Sequence, residues 1–292
     1  MYEPCQSSYQ SHWFCTWIPA KQKLGIVHDL QLLNGVTIKE SSIPPNLDQF
    51  VDQFLGRKCF TVLDLYWGFD ARKMDEASRD MTAFYCPIGL LCLTSLPTGF
   101  TNLPSEFQEC MIFIFNKEIV KQVMNVFIDD APIHGPLNTY LDENGNPAVL
   151  PERPEIRHYI WEHAIDLNQI LHRLTEARGT FSGKKLQICQ PKVTILGQEV
   201  GVEGCKPDAG RIKAITNWPP LKNVKEADQF MGLCGTVCIW IPNYSQIASS
   251  ITSLWRKGVE FAWTEEQEAA FEVLKHYVTT VPVLTSINYT CD

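Results

Sequence analysis

The sequence has no apolar run of the length that a membrane-spanning helix needs, and it has no internal repeat or low-complexity segment. Its first residues, MYEPCQSSYQSHWFCTWIPAKQ, lack the basic start and apolar block of a secretory signal peptide. We therefore expect an intracellular protein that is not secreted and has no membrane partner.

The cysteines form no CxxC pair and follow no regular spacing. An odd number, eleven, is scattered along the chain, which favours reduced thiols over a disulfide framework. Zinc binding is not expected either. His158 and His163 are five residues apart on a predicted helix and do not share a face, and Cys234 and Cys238 alternate with apolar residues as core thiols do.

The formal net charge is −8, but the charges are unevenly distributed. Residues 206–258 carry seven Lys/Arg against three acids, a local charge of +4, whereas residues 129–166 carry eight acids against two arginines, a local charge of −6. An acidic centre beside a basic segment suits a cation site with a polyanion lying across it. The alternative is ordinary patchiness of a protein surface.

The chain, with 292 residues of which 45% are hydrophobic, is long enough for two domains or one large divided fold. Turn residues and hydrophobic periodicity predict an α+β domain with an antiparallel sheet, followed by a helical lobe. The predicted elements are a strand in 60–69, a hairpin around Pro87–Gly89, a turn at Pro97–Gly99, a helix from Pro104, a loop over 137–155, a helix in 155–179, a strand in 192–201 and a helix from Val224 with Asn223 and Glu226 as a capping box.

Three acids follow apolar segments of this pattern. Asp64 ends one apolar strand, and Asp129 and Asp130 follow the run Val126–Ile128. If the two strands are neighbours, Asp64 and Asp129 converge at one end of the sheet. Carboxylates are the hard ligands that Mg²⁺ prefers, and two such ions about 3.5–4 Å apart support phosphoryl transfer. The alternative is a pair of turn aspartates bonded to their own backbone.

Four motifs give these acids a context: FTVLDLYWGF, LPTGFTNLPSEFQ, FIDD and VTILGQEV, in this order. With them, the chain resembles the reverse transcriptase of gypsy-type LTR retrotransposons. The resemblance implies an α+β right-hand polymerase with fingers, a palm with an antiparallel sheet and a helical thumb/connection, truncated before the RNase H catalytic core. The implied boundaries are 1–59 and 74–96 for the fingers, 60–73 and 97–202 for the palm, 203–258 for the thumb/connection, and 259–292 for an incomplete RNase H lead-in.

The resemblance also implies roles for individual residues. Asp64 and Asp129 would ligate two Mg²⁺ ions, with Mn²⁺ as a substitute, and Asp130 would complete the catalytic and metal-binding set. Phe69 matches the aromatic beneath the incoming sugar, where a ring excludes a ribose 2′-hydroxyl. The other implied contacts are Thr98 and Gly99 with nucleotide and template, Lys184 or Lys185 and Lys21 with the triphosphate, and Leu196 and Gly197 as the primer grip.

The implied function is RNA-directed DNA polymerisation on an RNA or DNA template with a primer and deoxynucleoside triphosphates. The basic 206–258 segment would hold the duplex backbone by counterion release. The protein would work beside other domains of a retrotransposon polyprotein, in cytoplasmic particles, with nuclear entry of the product.

Three features depart from the family's pattern. Gly25 stands where the family has an arginine that contacts the triphosphate in a fixed fork, although Lys21 and Lys23 lie nearby. Phe127 replaces a tyrosine. The chain ends before the strand that carries the first RNase H acid, so we expect a fragment of a longer polyprotein without RNase H catalysis.

Two other functions were weighed against polymerisation. A catalytically inactive retrotransposon remnant that still folds and binds nucleic acid is the alternative that Gly25 favours. A hydrolase with paired carboxylates is disfavoured, because adjacent Asp129 and Asp130 do not resemble a pair that flanks a bond and no Asp-Thr-Gly motif is present.

Overall fold

The computed structural model describes residues 2–19, 22–40, 45–64, 73–256, 259 and 261–285. Its strands are β1 (Tyr2–Pro4), β2 (Trp13–Ile18), β3 (Lys23–His28), β4 (Phe60–Asp64), β5 (Phe84–Cys86), β6 (Gly89–Leu93), β7 (Asp130–His134), β8 (Val149–Leu150), β9 (Arg153–Arg157), β10 (Gln187–Gln190), β11 (Lys192–Ile195), β12 (Gln198–Gly201) and β13 (Gly204–Pro207). Its helices are α1 (Gln31–Val36), α2 (Leu47–Asp52), α3 (Glu76–Arg79), α4 (Leu103–Ile114), α5 (Asn116–Val120), α6 (His158–Glu176), α7 (Ala209–Thr216), α8 (Val224–Gly235), α9 (Tyr244–Thr252) and α10 (Glu265–Thr279). Among the described helices, none has both the length and the apolar character that a membrane crossing requires.

The chain forms two compact units. The first comprises residues 1–46 and 59–189, and the second comprises residues 47–58 and 190–292. The expected boundaries of fingers, palm, thumb/connection and RNase H lead-in divide the chain more finely and stay predictions.

The central sheet of the first unit has the strand order β10-β4-β7. β4 and β7 pair antiparallel, from Phe60 opposite His134 to Asp64 opposite Asp130. One hydrophobic core covers this pair, because apolar residues of α4 and α6 pack on Leu63, Ala131 and Ile133. Burying these side chains fixes the register, since a slip of one residue would turn each of them to the other face.

The hairpin and helix predicted around the first proline-rich segment are present. β5 and β6 pair with Cys86 opposite Gly89, and Gly89 adopts a φ of 124° that L-residues rarely reach. The turn after Pro97 closes with a hydrogen bond from the Phe100 amide to the Pro97 carbonyl, 3.1 Å. The predicted helix divides at Phe115 into α4 and α5, with a proline in the first turn of α4.

The region between the acids and α6 was predicted incorrectly. Its second half forms the β8–β9 hairpin instead of a loop, and Ile156 lies in β9, so the helix begins only at His158. Val126–Ile128 also forms no regular strand. This segment contacts β7 only through isolated bridges, in which Met124 pairs with Ile133 and Phe127 pairs with Asp130. The segment 137–155 was predicted as a loop because it is rich in Gly and Pro, which are uncommon within strands. These residues are nevertheless compatible with the ends of a short hairpin.

The second unit combines an antiparallel sheet, β11-β12-β13, with helices α7–α10. Phe230 of α8 and Phe271 of α10 lie in its core with their ring centroids 4.7 Å apart. The cap of α8 differs from the predicted capping box. The Asn223 side chain accepts from the Glu226 amide as expected, but Glu226 bonds to the Asn223 side chain and the Lys222 amide rather than the Asn223 amide.

Candidate active site

The pairing of β4 with β7 brings two of the three predicted acids together. Asp64 is the last residue of β4 and Asp130 is the first of β7, and they are direct partners in the ladder. Asp129 precedes Asp130 and is exposed at the turn. The sequence expectation that the acids meet at one end of the sheet therefore agrees with the geometry of the first unit.

A tight turn presents Asp129. The Phe127 and Asp130 backbones exchange two hydrogen bonds, of 2.9 and 2.7 Å, so that Ile128 and Asp129 form a two-residue loop. Ile128 has a φ of 55°, which is unfavourable for a β-branched side chain and is held here by the surrounding structure. Positive φ at the first turn position is typical of the type II′ hairpin turn.

Gln108 of α4 holds this turn, and sequence reasoning missed it. Its amide nitrogen donates to the Val126 carbonyl (3.0 Å), and its amide oxygen accepts from the Ile128 N–H (2.6 Å). The side chain is 2% exposed, so both bonds lie in the core. A glutamine at a buried position of an amphipathic helix was the available signal, because a buried amide needs partners.

Lys185 is the basic residue that contacts the acids. Its Nζ lies 2.7 Å from Asp64 Oδ2. The loop that carries it is tied to the same aspartate, because the Ser182 amide donates to the Asp64 carbonyl at 2.8 Å. The sequence suggested Lys184 or Lys185 for a phosphate contact, and both residues are exposed. Lys185 is thus the cation placed at the carboxylates.

Burial and the neighbouring carboxylates disfavour the charged form of Asp130. Burial raises the pKa of Asp130 above its usual value, and the charges of Asp129 and Asp64 raise it further, while Lys185 lowers it. The hydrogen bond and charge of Asp64 raise the pKa of Lys185, with smaller effects from the other two acids. These mutual effects show that all four groups share one electrostatic site.

These acids fit a divalent metal ion. Carboxylate oxygens are hard ligands, and a bound cation would offset both the burial and the neighbouring negative charges that raise the pKa of Asp130. Among the residues that the structure describes, the three acids are not a group whose ligand atoms all lie within 4.8 Å of one another. Mg²⁺ takes only one or two carboxylates and fills its remaining positions with water and substrate phosphates, so it does not need all three acids in one compact group.

Thr98 and Gly99 lie in the first unit, in the turn that follows β6. Gly99 has a φ of 97°, and its carbonyl accepts from the Asn34 side chain of α1 at 2.9 Å. The Asn34 oxygen in turn accepts from the Thr101 amide, also at 2.9 Å. Thr98 and Gly99 are exposed and form a fixed backbone surface.

Leu196 and Gly197 form the two-residue turn between β11 and β12, in the second unit. Their φ values of 49° and 77° are both positive, as a type I′ turn requires. Arg211 donates to the Leu196 carbonyl at 3.1 Å, and a Cβ on Gly197 would displace the end of the Arg211 side chain. Glycine is favoured here by its positive φ, which residues with a side chain rarely adopt.

Two predicted substrate contacts, Phe69 and Lys21, lie outside the described residues. Gly25, the departure from the family's arginine, lies in β3 opposite Thr16. Lys23 begins the same strand and is exposed.

Comparisons with solved structures identify the fold that surrounds the β4–β7 pair and its acids. The chain superposes on a structure of the foamy viral protease-reverse transcriptase in complex with double-stranded DNA with a TM-score of 0.81. The two sequences are 21% identical, and the superposition covers 98% of this chain and 46% of the other. A second foamy viral structure, in complex with RNA/DNA hybrid, has a TM-score of 0.76 at 21% identity, covering 97% of this chain and 35% of the other. At these identities the likeness establishes the fold, a right-hand polymerase that includes both helices and sheets.

Comparisons of sequence identify the family. Residues 18–200 match the family described as reverse transcriptase (RNA-dependent DNA polymerase). The retrovirus-related Pol polyprotein from transposon 297 of Drosophila melanogaster is 30% identical over 277 residues, covering 92% of this chain and 24% of the polyprotein. The Gag-Pol polyprotein of baboon endogenous virus is 27% identical, covering 96% of this chain and 16% of the polyprotein.

The chain belongs to the reverse transcriptase family of RNA-dependent DNA polymerases, a family found in the Pol polyproteins of retrotransposons and retroviruses. Members of this family use divalent metal ions. The chain spans about a quarter or less of these two relatives, so the activity and partners of the whole polyproteins reach it only as proposals.

Replacing Gln108 tests whether it positions the turn that carries Asp129. Gln108→Leu keeps the volume but leaves the Val126 carbonyl and the Ile128 amide without their side-chain partner. We expect a loss of about 2–4 kcal/mol in the free energy of unfolding, because an unpaired buried polar group costs about 1–3 kcal/mol. Denaturant unfolding measures it. Exposed Glu109 of the same helix provides the control as Glu109→Ala, and equal stability of the two variants would contradict the assignment.

Neutralising Asp130 should stabilise the metal-free protein. A carboxyl with a raised folded-state pKa binds its proton more tightly in the folded state, so its ionisation lowers stability as the pH rises above 3.8. Asp130→Asn should therefore raise the thermal midpoint at pH 7 in the presence of a chelator, and this gain should shrink toward pH 4. Asp228→Asn, at an exposed position, should change little at either pH. A lower midpoint for Asp130→Asn at pH 7 would refute the electrostatic account.

Proposed function

We propose that this chain is the polymerase part of a retrotransposon polyprotein and adds deoxynucleotides to a primer on an RNA or DNA template. The observation that carries the proposal is the convergence of Asp64, Asp129 and Asp130 at the end of one strand pair. This site lies within the part of the chain that matches the reverse transcriptase family. Relatives from transposons 297 and 412 of Drosophila melanogaster favour a gypsy-type element as its source.

Asp64 and Asp129 would hold the metal ions, and Asp130 would complete the set. Two bound Mg²⁺ ions, or Mn²⁺ in their place, would activate the primer hydroxyl and offset charge at the reacting phosphate. The contribution of the protein is positional, because nucleotide addition depends chiefly on alignment and fixed charge. The β4–β7 ladder sets the position of Asp64 against Asp130, and Gln108 fixes the turn that carries Asp129.

Lys185 has two electrostatic effects in this account. In the free protein its ammonium group, 2.7 Å from Asp64, offsets part of the negative charge of the acids. Its side chain is 67% exposed, so it can leave the carboxylate at little cost when a metal ion takes that place. Beside the acids, the released ammonium group is a point charge for substrate phosphate, the role that the sequence suggested for Lys184 or Lys185.

The remaining contacts rest on the family resemblance. Phe69 would select deoxyribose, the Thr98–Gly99 turn would face nucleotide and template, and the Leu196–Gly197 turn would hold the primer end. Lys21 would approach the triphosphate. The rigid backbones of the two turns support these assignments, because a surface that aligns a base pair has to keep its shape.

Nucleic acid is the proposed partner. The solved foamy viral structures are complexes with RNA/DNA hybrid and with double-stranded DNA. In this chain the basic 206–258 segment supplies the positive charge for a sequence-independent grip on phosphates. Other domains of the polyprotein would act beside it, in cytoplasmic particles.

A catalytically inactive remnant that still folds and binds nucleic acid is the second candidate, and Gly25 favours it. An arginine at this position would contact substrate phosphate through a bidentate hydrogen bond that glycine cannot make. The fold tolerates restoring it with a small adjustment, because an added Cβ would meet only the side-chain end of Ile18, at 2.8 Å. Gly25→Arg therefore tests the remnant directly.

Primer extension on an oligo(dT)-primed poly(rA) template, with Mg²⁺ and separately with Mn²⁺, tests the proposal. We expect incorporation by the unmodified chain and a loss of at least about 100-fold in Asp129→Asn, because a metal ligand is removed. Salt-dependent duplex binding should be unchanged in that variant. Glu143→Gln, at an exposed acid of the loop before β8, is the matched charge control.

Each outcome assigns the chain to one of the two functions. Incorporation that Asp129→Asn abolishes establishes the polymerase and shows that Gly25 is compensated. Activity that appears only in Gly25→Arg identifies a remnant damaged at one phosphate contact. No incorporation by either protein, with duplex binding intact, would refute the polymerase proposal.

A further inference from the structure

Three metal-ligating side chains from distant parts of the sequence meet inside the first unit. Cys59 immediately precedes β4, His163 lies in α6 and Cys189 lies in β10. One ligand atom of each lies within 4.8 Å of the other two. Cys59 and His163 are 1% and 0% exposed, and Cys189 is half-buried. From the sequence, His163 was not expected to bind a metal, because its spacing from His158 on the same helix was the only relation that could be judged.

Close packing around Gly135 allows this meeting. The Gly135 amide donates to the Cys59 carbonyl at 2.8 Å. A Cβ on Gly135 would lie 3.2 Å from the Cys59 Cβ and 3.6 Å from the His163 Cβ, so a larger residue would separate α6 from the start of β4. Glycine thus keeps the imidazole and the first thiol close together.

Thr61 joins the other two members of the cluster. Its hydroxyl oxygen accepts from the Cys189 amide at 3.2 Å and lies 2.8 Å from the Nε2 of His163. The second ring nitrogen, Nδ1, is buried and has no hydrogen bond of normal geometry. Burial lowers the pKa of His163, although the His134 backbone raises it slightly, so the imidazole is in the neutral form that binds metals.

We propose that Cys59, His163 and Cys189 form a binding site for a thiophilic transition metal ion of the Zn²⁺ class. Thiolate and imidazole are the ligands that zinc prefers, and a structural or open zinc site uses three or four of them. Zn–S and Zn–N bonds of about 2.3 and 2.0 Å place tetrahedral ligand atoms about 3.5–3.8 Å apart, which is compatible with three atoms that lie within 4.8 Å of one another. On binding, each thiol releases its proton to solvent and becomes a thiolate. Water that enters beside half-buried Cys189 completes the tetrahedron.

This site differs in chemistry and place from the carboxylates. Sulfur and imidazole nitrogen are soft or borderline ligands, whereas Mg²⁺ binds hard oxygens, so Mg²⁺ should not compete. Cys59 and Asp64 lie at opposite ends of β4, about 17 Å apart along the strand. The metal would cross-link the start of β4 to α6 and β10. Its effect on the carboxylates at the other end of β4 would be structural, through the position of this strand.

Cobalt titration of the full 292-residue chain in phosphine reductant tests the proposal. We expect one Co²⁺ to bind with thiolate-to-metal charge-transfer absorption in the near ultraviolet, which Zn²⁺ displaces and excess Mg²⁺ does not. Cys189→Ser, at a half-buried position, should weaken binding more than about 100-fold. Cys5→Ser is the matched control, because Cys5 is also half-buried and belongs to a different group, Cys5–Asp80–Cys92.

Alkylation of the unmodified chain, mapped by mass spectrometry, gives a second readout that requires no variant to fold. Zn²⁺ should protect half-buried Cys189 from alkylation and leave exposed Cys15 reactive. Absence of charge-transfer absorption together with unchanged alkylation of Cys189 in Zn²⁺ would overturn the proposal. It would also be overturned by a signal that Cys5→Ser removes and Cys189→Ser keeps. A Cys59–Cys189 disulfide without metal uptake would assign the pair to redox chemistry instead.

Discussion

The hydrogen-bonded ladder between β4 and β7 places Asp64 opposite Asp130, and the geometry of the candidate active site depends on this register. A slip of one residue would turn Leu63, Ala131 and Ile133 away from the core and move the acids with them. The hydrophobic core therefore determines where the carboxylates lie. This placement is electrostatically unfavourable, because Asp130 is half-buried and lies beside two other acids. Both effects raise the pKa of Asp130.

A cluster of acids that repel one another is unfavourable for an unliganded protein and useful for one that binds cations. Lys185 offsets part of the repulsion from an exposed position, so it can be displaced without leaving a buried charge. The strained φ of Ile128 and the buried hydrogen bonds of Gln108 are also local features of this site, because both fix the turn that presents Asp129. These local costs are compatible with a stable unit because they lie at the end of a well-packed core.

Much of the fold could be predicted from local pattern. The strand ending at Asp64, the β5–β6 hairpin and the proline-initiated α4 each follow from turn residues and periodicity. The β8–β9 hairpin was missed because β8 has only two residues and β9, RPEIR, is rich in charge and contains a proline. Features that depend on tertiary contact had no local signal. Lys185 and Lys184 are indistinguishable in sequence, and Cys59, His163 and Cys189 come together only through folding.

The roles of the acids as ligands are the central claim, and Mn²⁺ binding measured by electron paramagnetic resonance tests it most directly. The titration uses the chain with primer–template and a deoxynucleoside triphosphate, beside Asp64→Asn, Asp129→Asn and the exposed control Asp228→Asn. Both site variants should lose at least about tenfold in Mn²⁺ affinity, whereas the control should bind as the unmodified chain does. Equal affinity in all four proteins would contradict the assignment of these acids as metal ligands.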